Sequence, residues 1–208
     1  LGFAGFADFK NTMKERMLEH YNLNLSPSQK FTNTKDKINS DNVVNDVFYK
    51  AIDNLSSTML NLDDKLVNSI AECIIKSRNK YIIGFRGTSC CADYFTRKAV
   101  FFVPHLILCN MAESSVIEKL IDLNEEDCLV MFSFPRYSEI NYSILELAKK
   151  RGSKIILITD RVTSPLVPYV VPLCVAESLA ILIGQKIGTD SKQRLADLDF
   201  YISKNNLY

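Results

Sequence analysis

Apolar residues recur at steps of three and four in two segments of the chain, residues 43–55 and residues 66–75. At these steps the side chains fall on one face of an α-helix, and polar residues fall on the other face. The spacing therefore predicts two amphipathic helices in succession.

Beyond these helices, short apolar runs of four to six residues alternate with helix-like segments. Several runs are β-branched, which is typical of strands buried on both faces. Because the connections are short, right-handed crossovers and a parallel sheet are required. The pattern predicts a three-layer, doubly wound α/β fold with a five-stranded parallel sheet. Its strands are predicted at 81–85, 106–109, 128–132, 155–158 and 170–175, and its helices at 89–102, 114–123, 138–151, 163–169 and 178–208.

The first 42 residues follow a different pattern. Apolar positions approach helical spacing in residues 1–21, which predicts a short amphipathic helix. Residues 22–42 are rich in Asn, Ser, Lys and Thr, a composition typical of a linker. We therefore divide the chain into an N-terminal helical segment (1–21), a linker (22–42) and an α/β domain (43–208).

The charge balance argues against a chain that holds nucleic acid by itself. Lys and Arg number 25 against 24 Asp and Glu, a net charge of +1, and DNA-binding surfaces need clustered positive charge. No apolar run approaches the roughly 18 residues of a membrane span. The six cysteines lie in apolar stretches, as core residues do in a reducing compartment. Composition therefore predicts a soluble cytoplasmic protein with no membrane partner.

The turn after the first predicted strand has the residue types of an anion site. In doubly wound folds, ligands bind at the carboxyl ends of the strands, where the strand order reverses. Residues 84–89 occupy such a place: Gly87 is expected to allow a tight turn, and Thr88 and Ser89 supply hydroxyls and a helix N-cap, next to Arg86. The spacing is neither the dinucleotide fingerprint nor a P-loop, and a simple capped turn is an alternative interpretation.

A second turn of this kind, residues 133–138, follows the third predicted strand. Ser133 and Ser138 bracket a bend at Pro135, Ser138 can cap the next helix, and Arg136 is expected to approach the same crevice. Two hydroxyl-rich turns and a guanidinium at neighbouring strand ends suit a phosphate ester that also carries hydroxyls.

Other candidates for chemistry are few. Glu177 follows the fifth predicted strand and is the one carboxylate well placed for proton transfer at this edge of the sheet; a helix-start carboxylate is an equally good interpretation. His20 and His105 have no metal-ligand partners in the sequence, and a GxSxG motif is absent. We therefore predict no catalytic residue, metal or cofactor, and keep Glu177 as a candidate ligand-binding residue.

Four segments together resemble the sugar isomerase (SIS) domain in order and spacing, over about residues 43–178: residues 84–92, 133–138, 148–160 and 164–166. More narrowly, Ser-Phe-Pro-Arg-Tyr-Ser at 133–138 and Leu-Gly-Phe-Ala-Gly-Phe-Ala-Asp-Phe-Lys at the start of the chain resemble the ribose-phosphate-isomerase-repressor (RpiR) family of bacterial transcription regulators. This resemblance implies a flavodoxin-like fold. It also implies that residues 1–21 are the C-terminal end of a helix-turn-helix DNA-binding domain, the rest of which precedes Leu1.

Carried over by position, the phosphosugar-contacting hydroxyls of SIS domains fall on Thr88, Ser89, Ser133 and Ser138. Two departures stand out. Pro135 replaces a Ser of the usual turn and offers neither a hydroxyl nor an N–H group, so Arg136 or Arg86 is expected to supply the missing contacts. The stretch after Ser178 is also shorter than the family usually has.

Three functions fit the resemblance. The leading hypothesis is a ligand-sensing domain of a transcription regulator, which binds a sugar phosphate, forms a homodimer and contacts DNA through the N-terminal domain of the full-length protein. A phosphosugar isomerase is the alternative, and it would need a base to move a proton between adjacent carbons. The third is an SIS domain that only dimerises. A homodimer is predicted because the helices within 43–75 carry more apolar surface than one face of the sheet requires.

Overall fold

The computed structural model describes residues 28, 42–134, 137–159 and 169–206. The segments predicted at 1–21 and 22–42 lie outside these residues, apart from residues 28 and 42, and so does the helix predicted at 163–169, apart from Tyr169. All three remain predictions. A 3-10 turn at Arg86–Thr88 precedes the third helix. The described elements, in chain order, are α1 (Val43–Asn61), α2 (Asp64–Lys76), β1 (Lys80–Ile83), α3 (Ser89–Ala99), β2 (Leu106–Cys109), α4 (Ser114–Leu120), β3 (Cys128–Phe132), α5 (Glu139–Lys150), β4 (Lys154–Ile158), α6 (Val170–Ile187) and α7 (Thr189–Lys204).

The sheet has the order β2-β1-β3-β4, and all of its described pairings are parallel. Ile82 of β1 aligns with Leu108 of β2 on one side and with Val130 of β3 on the other. From β1 the chain moves outward to β2 and then returns to the opposite side of β1 as β3. The strand order therefore reverses between β1 and β3, and the crevice expected to bind a ligand lies at the carboxyl ends of these two strands.

Helices cover both faces of the sheet, which confirms the three-layer α/β architecture. Alternate strand residues point to opposite faces, so Ile82 and Val130 pack on one side while Ile83 and Met131 pack on the other. The first face is covered by buried residues of α2, α3 and α6, and the second by those of α4 and α5. The helix residues are Ala71, Ile74, Cys91, Ala92, Phe95, Ala99, Ala176, Leu179, Ala180 and Ile183 on the first face, and Val116, Leu120, Ile144, Leu145 and Ala148 on the second.

The prediction of a fifth strand at 170–175 is wrong, because these residues begin helix α6. A continuous apolar run does not distinguish a fully buried strand from a core helix. Pro172 was an available signal: it fits the first turn of a helix, where its missing N–H group is not needed, but not an interior strand. The described residues therefore form a four-stranded sheet. The long helix predicted at 178–208 is divided by Gly188, whose φ of 66° ends α6.

The prediction that no apolar segment approaches the length of a membrane span is also wrong, because of helix α6. It spans 18 residues with a mean hydropathy of 1.7, so by length and composition alone it could cross a membrane. In this structure, Ala176, Leu179 and Ile183 lie in the core against the sheet, α2 and α3. These residues form the buried face of α6, and 39% of the helix is buried in all. Two of the six cysteines, Cys90 and Cys174, are exposed rather than in the core, and all six are free thiols.

At the amino-terminal end of the sheet, the side chain of Asp127 is fully buried just before β3. It accepts hydrogen bonds from Arg78 Nε (3.0 Å) and Nη2 (2.9 Å) and from the backbone amides of Asn79 (3.1 Å) and Asn124 (3.0 Å). Burial alone would raise the pKa of Asp127, but these hydrogen bonds outweigh it and hold the pKa below its usual value. Asp127 therefore ties together the starts of β1 and β3.

Candidate functional site

The two turns singled out from the sequence lie at the point where the strand order reverses. The first turn (residues 84–89) leads from β1 into α3, and the second (133–138) leads from β3 into α5. Because β1 and β3 are neighbours, the N-termini of both helices lie at the same edge of the sheet, and their dipoles favour negative charge there.

Gly84 allows the first turn to approach β1 closely. A Cβ atom at Gly84 would lie 2.5 Å from the Thr88 carbonyl oxygen and 2.9 Å from the Cβ of Ala92. The Gly84 amide continues the sheet by donating to the Cys109 carbonyl (3.2 Å), and the Thr88 amide closes the turn on the Phe85 carbonyl (3.1 Å). The turn is thus held tightly between β1 and α3.

The sequence predicts that Gly87 allows the tight turn, but the residue with a left-handed φ is Arg86 (56°). Such a φ is uncommon for a side chain of this size and is often found at functional sites. The glycine at 87 has a different role, because a Cβ atom there would collide with the phenol oxygen of Tyr169 and lie 3.1 Å from its Cζ. Arg86 is exposed, and within the described ranges its guanidinium forms no ion pair.

The hydroxyl groups of the first turn donate within the turn itself. Thr88 Oγ1 donates to the Phe85 carbonyl (2.9 Å), and Ser89 Oγ donates to the Arg86 carbonyl (2.6 Å). Thr88 stands at the N-cap position of α3 but makes no capping hydrogen bond. In this arrangement both oxygens can still accept a hydrogen bond from a ligand.

The Ser133 hydroxyl of the second turn differs from those of the first turn, because it accepts a hydrogen bond from the protein instead of donating one. Ser133 is buried, its amide donates to the Ile158 carbonyl (3.1 Å), and its Oγ accepts from Asn141 Nδ2 (2.7 Å). Among the described residues, the hydroxyl hydrogen of Ser133 has no acceptor, so it is left to donate. The Asn141 Oδ1 atom is also buried and has no hydrogen-bond partner among the described residues. Sequence reasoning missed Asn141, although it lies on the first turn of α5.

The remaining residues of the second turn are only partly described. Ser138 is the N-cap residue of α5, half-buried, with no side-chain capping hydrogen bond. Tyr137 Oη and Thr159 Oγ1 lie 2.9 Å apart, which links this turn to the end of β4. Pro135 and Arg136 lie outside the described residues, so the role of Arg136 remains a prediction.

Tyr169, which the sequence analysis did not single out, contacts both turns. Tyr169 lies immediately before α6, with its phenol against Gly87 and its ring 6.1 Å from the ring of Phe134 at 65°. Because Tyr169 is distant in sequence from both turns, no local motif indicates this contact.

Glu177 is placed elsewhere. It lies within α6 rather than after a strand, accepts a short hydrogen bond from Tyr94 Oη, and pairs with Lys98 Nζ at 3.3 Å. The hydrogen bond from Tyr94, together with Lys98, holds the pKa of Glu177 below its usual value. Tyr94 and Lys98 follow Ser89 by roughly 7–14 Å along α3, so Glu177 contacts the body of α3 rather than its first residue.

The profile of the SIS domain family matches residues 73–185, more than half of the chain. The chain therefore belongs to the SIS domain family, and the predicted resemblance is confirmed. No curated protein matches the sequence. In the part of the chain that the structure describes, no group of three His, Cys, Asp or Glu side chains could hold a metal ion.

Several solved structures share this fold. The sugar isomerase domain of an RpiR transcription factor from Sphaerobacter thermophilus superposes with a TM-score of 0.71 at 18% identity, over 76% of this chain and 98% of that one. The NanR protein of Vibrio vulnificus, solved with ManNAc-6P, gives 0.63 at 14% identity, over 98% and 77%. A protein from E. coli CFT073, solved as a complex with a ligand, gives 0.58 at 12% identity, over 74% and 97%. At these identities the likeness shows the fold.

Proposed function

We propose that this chain is the ligand-sensing domain of a transcription regulator and that its ligand is a phosphorylated sugar. Structural neighbours named as a transcription factor and as NanR support the regulatory role, and the NanR neighbour is a complex with ManNAc-6P. The observation that carries the proposal for this chain is the buried Ser133 hydroxyl, which is left to donate at the point where the strand order reverses.

The two turns offer complementary chemistry to such a ligand. Phosphate oxygens accept hydrogen bonds, and they match the Ser133 hydrogen, the N-termini of α3 and α5, and the exposed Arg86 guanidinium. Sugar hydroxyls also donate, and they match the Thr88 and Ser89 oxygens. Ser138 and, from its place in the sequence, Arg136 complete the proposed site. Glu177 is not included in it.

Calorimetry tests the site directly. We expect ribose 5-phosphate or N-acetylglucosamine 6-phosphate to bind at least about tenfold more tightly than its unphosphorylated parent, as charge-assisted hydrogen bonds require. Replacing Arg136 with Ala should weaken the phosphorylated form more than the parent sugar. Equal affinity for the two forms would mean that the arginines do not recognise phosphate. The absence of binding by any sugar phosphate would favour a domain that only dimerises.

An isomerase is the second candidate, because the resemblance is to a sugar isomerase domain. Its general base would have to be available near the sugar. Tyr94 and Lys98 engage the two carboxylate oxygens of Glu177 and hold its pKa below the usual value, which makes this carboxylate a weaker base. We therefore propose a sensor without turnover. Interconversion of aldose and ketose phosphates by the purified chain, above a buffer control, would favour the enzyme.

A homodimer formed through α1 is part of this proposal. Helix α1 has no buried residue, and Val44, Val47, Phe48 and Ile52 are between 53% and 69% exposed along one face. Such an apolar face suits a second copy of the chain, and a two-fold operator requires a two-fold protein. Sedimentation should give a dimer for the wild type and a monomer for Phe48→Lys. A wild-type monomer of 23.6 kDa at tens of micromolar would contradict this.

DNA binding is assigned to a helix-turn-helix domain of the full-length protein, which residues 1–21 would end, and the free thiols suit a cytoplasmic regulator. With a net charge of +1, these 208 residues should not bind an operator specifically. Salt-dependent, sequence-specific binding by this chain alone, in a mobility-shift experiment, would contradict the assignment.

A further inference from the structure

Tyr169 lies between the two turns that form the proposed site. Its phenol packs against Gly87 of the first turn, and its ring makes an edge contact with Phe134 of the second. It enters from the side of α6, immediately before the first residue of that helix. A single side chain thus contacts both sides of the crevice in which the ligand is proposed to bind.

The neighbours of Tyr169 hold the phenol in this place. Gly87 does not have a left-handed φ, so backbone conformation does not require a glycine there. The structure requires a glycine because of the phenol oxygen, with which any Cβ atom at position 87 would collide. Phe134 is buried and restricts the ring from the other side. Both turns are therefore shaped to accommodate this tyrosine.

We propose that Tyr169 is the specificity-determining residue that limits ligand size on the α6 side of the sugar-phosphate site. This inference rests on the proposed function. A ligand whose phosphate is bound by Ser133 meets the phenol on that side, so it can carry only small substituents there. The side chain acts as a wall, and its volume sets the limit.

The test compares two probes of different bulk, ribose 5-phosphate and N-acetylglucosamine 6-phosphate, by calorimetry. The proteins are the wild type, Tyr169→Leu and Tyr169→Ala. Opening the wall should shift the affinity ratio toward the bulkier probe, by about tenfold or more for Tyr169→Ala, the size of effect that a small change in pocket volume produces, and by less for Tyr169→Leu. Tyr201→Ala is the matched control, because Tyr201 is exposed on α7, and it should leave the ratio unchanged.

Thermal unfolding confirms that each variant is folded, and Tyr169→Leu keeps the test available if Tyr169→Ala does not fold. A ratio that increases in the order wild type, Leu, Ala supports the proposal, as does binding of the bulkier probe by the variants alone. An unchanged or reversed ratio, with the wild type still binding a sugar phosphate, overturns the role of Tyr169 and leaves the proposed function intact. Binding of neither probe by any of the proteins overturns both.

Discussion

The two ends of the parallel sheet use polar residues in opposite ways. At the amino-terminal end, the buried Asp127 carboxylate accepts four hydrogen bonds, from Arg78 and two backbone amides. At the carboxyl-terminal end, Ser133 keeps a hydroxyl hydrogen to donate, Asn141 Oδ1 has no partner among the described residues, and Arg86 adopts a left-handed conformation in an exposed turn.

On the proposed function, this difference separates the residues that stabilise the fold from those that bind the ligand. A buried polar group whose hydrogen bonds are all made holds the fold together, whereas one with unused capacity costs free energy until a ligand satisfies it. Substitutions at the amino-terminal end should therefore change the free energy of unfolding without changing affinity. Substitutions at the carboxyl-terminal end should change affinity.

The largest effect is expected for Asp127→Ala, which should lower the free energy of unfolding by about 3 kcal/mol because it leaves Arg78 and two amides without their acceptor. The folded-state pKa of Asp127 is lowered, so its contribution is complete above the unfolded pKa of about 3.9 and is lost as the pH falls through the folded value. Urea unfolding at pH 7 and at pH values below about 4 measures both effects.

Asp122→Ala is the matched control for this substitution, because Asp122 is exposed in the same loop. It should leave the free energy of unfolding nearly unchanged. Sugar-phosphate affinity at pH 7 should be the same for both variants and the wild type. A loss of affinity in folded Asp127→Ala would mean that the two ends of the sheet are not separable.

The second-largest effect is expected at Gly87, which belongs to the proposed site and also packs against Tyr169. Gly87→Ala should destabilise the wild type by about 2 kcal/mol, since the new methyl group overpacks against the Tyr169 phenol. In a Tyr169→Ala background the same change should cost much less. A double-mutant cycle by urea unfolding measures the coupling. An equal cost in both backgrounds would show that Tyr169 is not the reason for the glycine.

The smallest effects are expected on ligand affinity, when one serine is replaced in each of the two turns. Ser133→Ala should weaken binding of the phosphorylated sugar by about 1–2 kcal/mol, because it removes a free donor. Ser89→Ala should cost less, about 0.5 kcal/mol, because the Ser89 hydrogen already bonds the Arg86 carbonyl and the substitution removes only a neutral acceptor for a sugar hydroxyl. Calorimetry on the two folded variants checks the order. A larger loss for Ser89→Ala would mean that the first turn rearranges to donate to the ligand.

Local pattern determined much of this protein from the sequence alone. Four strands lie where the apolar runs predicted them, with bounds that shift by at most two residues, because a strand buried on both faces needs an unbroken run of apolar, mostly branched residues. The alternation of strands and helices then places residues 84–89 and 133–138 at strand ends. Both candidate turns follow from that alternation, together with the family resemblance.

Only the tertiary structure decided the rest. Whether the apolar run at 170–175 is a strand or part of α6 depends on what surrounds it, since full burial favours apolar residues in either element. The contacts of Tyr169 with Gly87 and of Glu177 with Lys98 join residues about 80 positions apart in the chain, and no short-range pattern records such pairs. The left-handed φ falls on Arg86, whereas the glycine at 87 is required by the Tyr169 phenol. Tyr169, about 80 positions further along the chain, imposes this requirement, so the sequence around the turn does not reveal it.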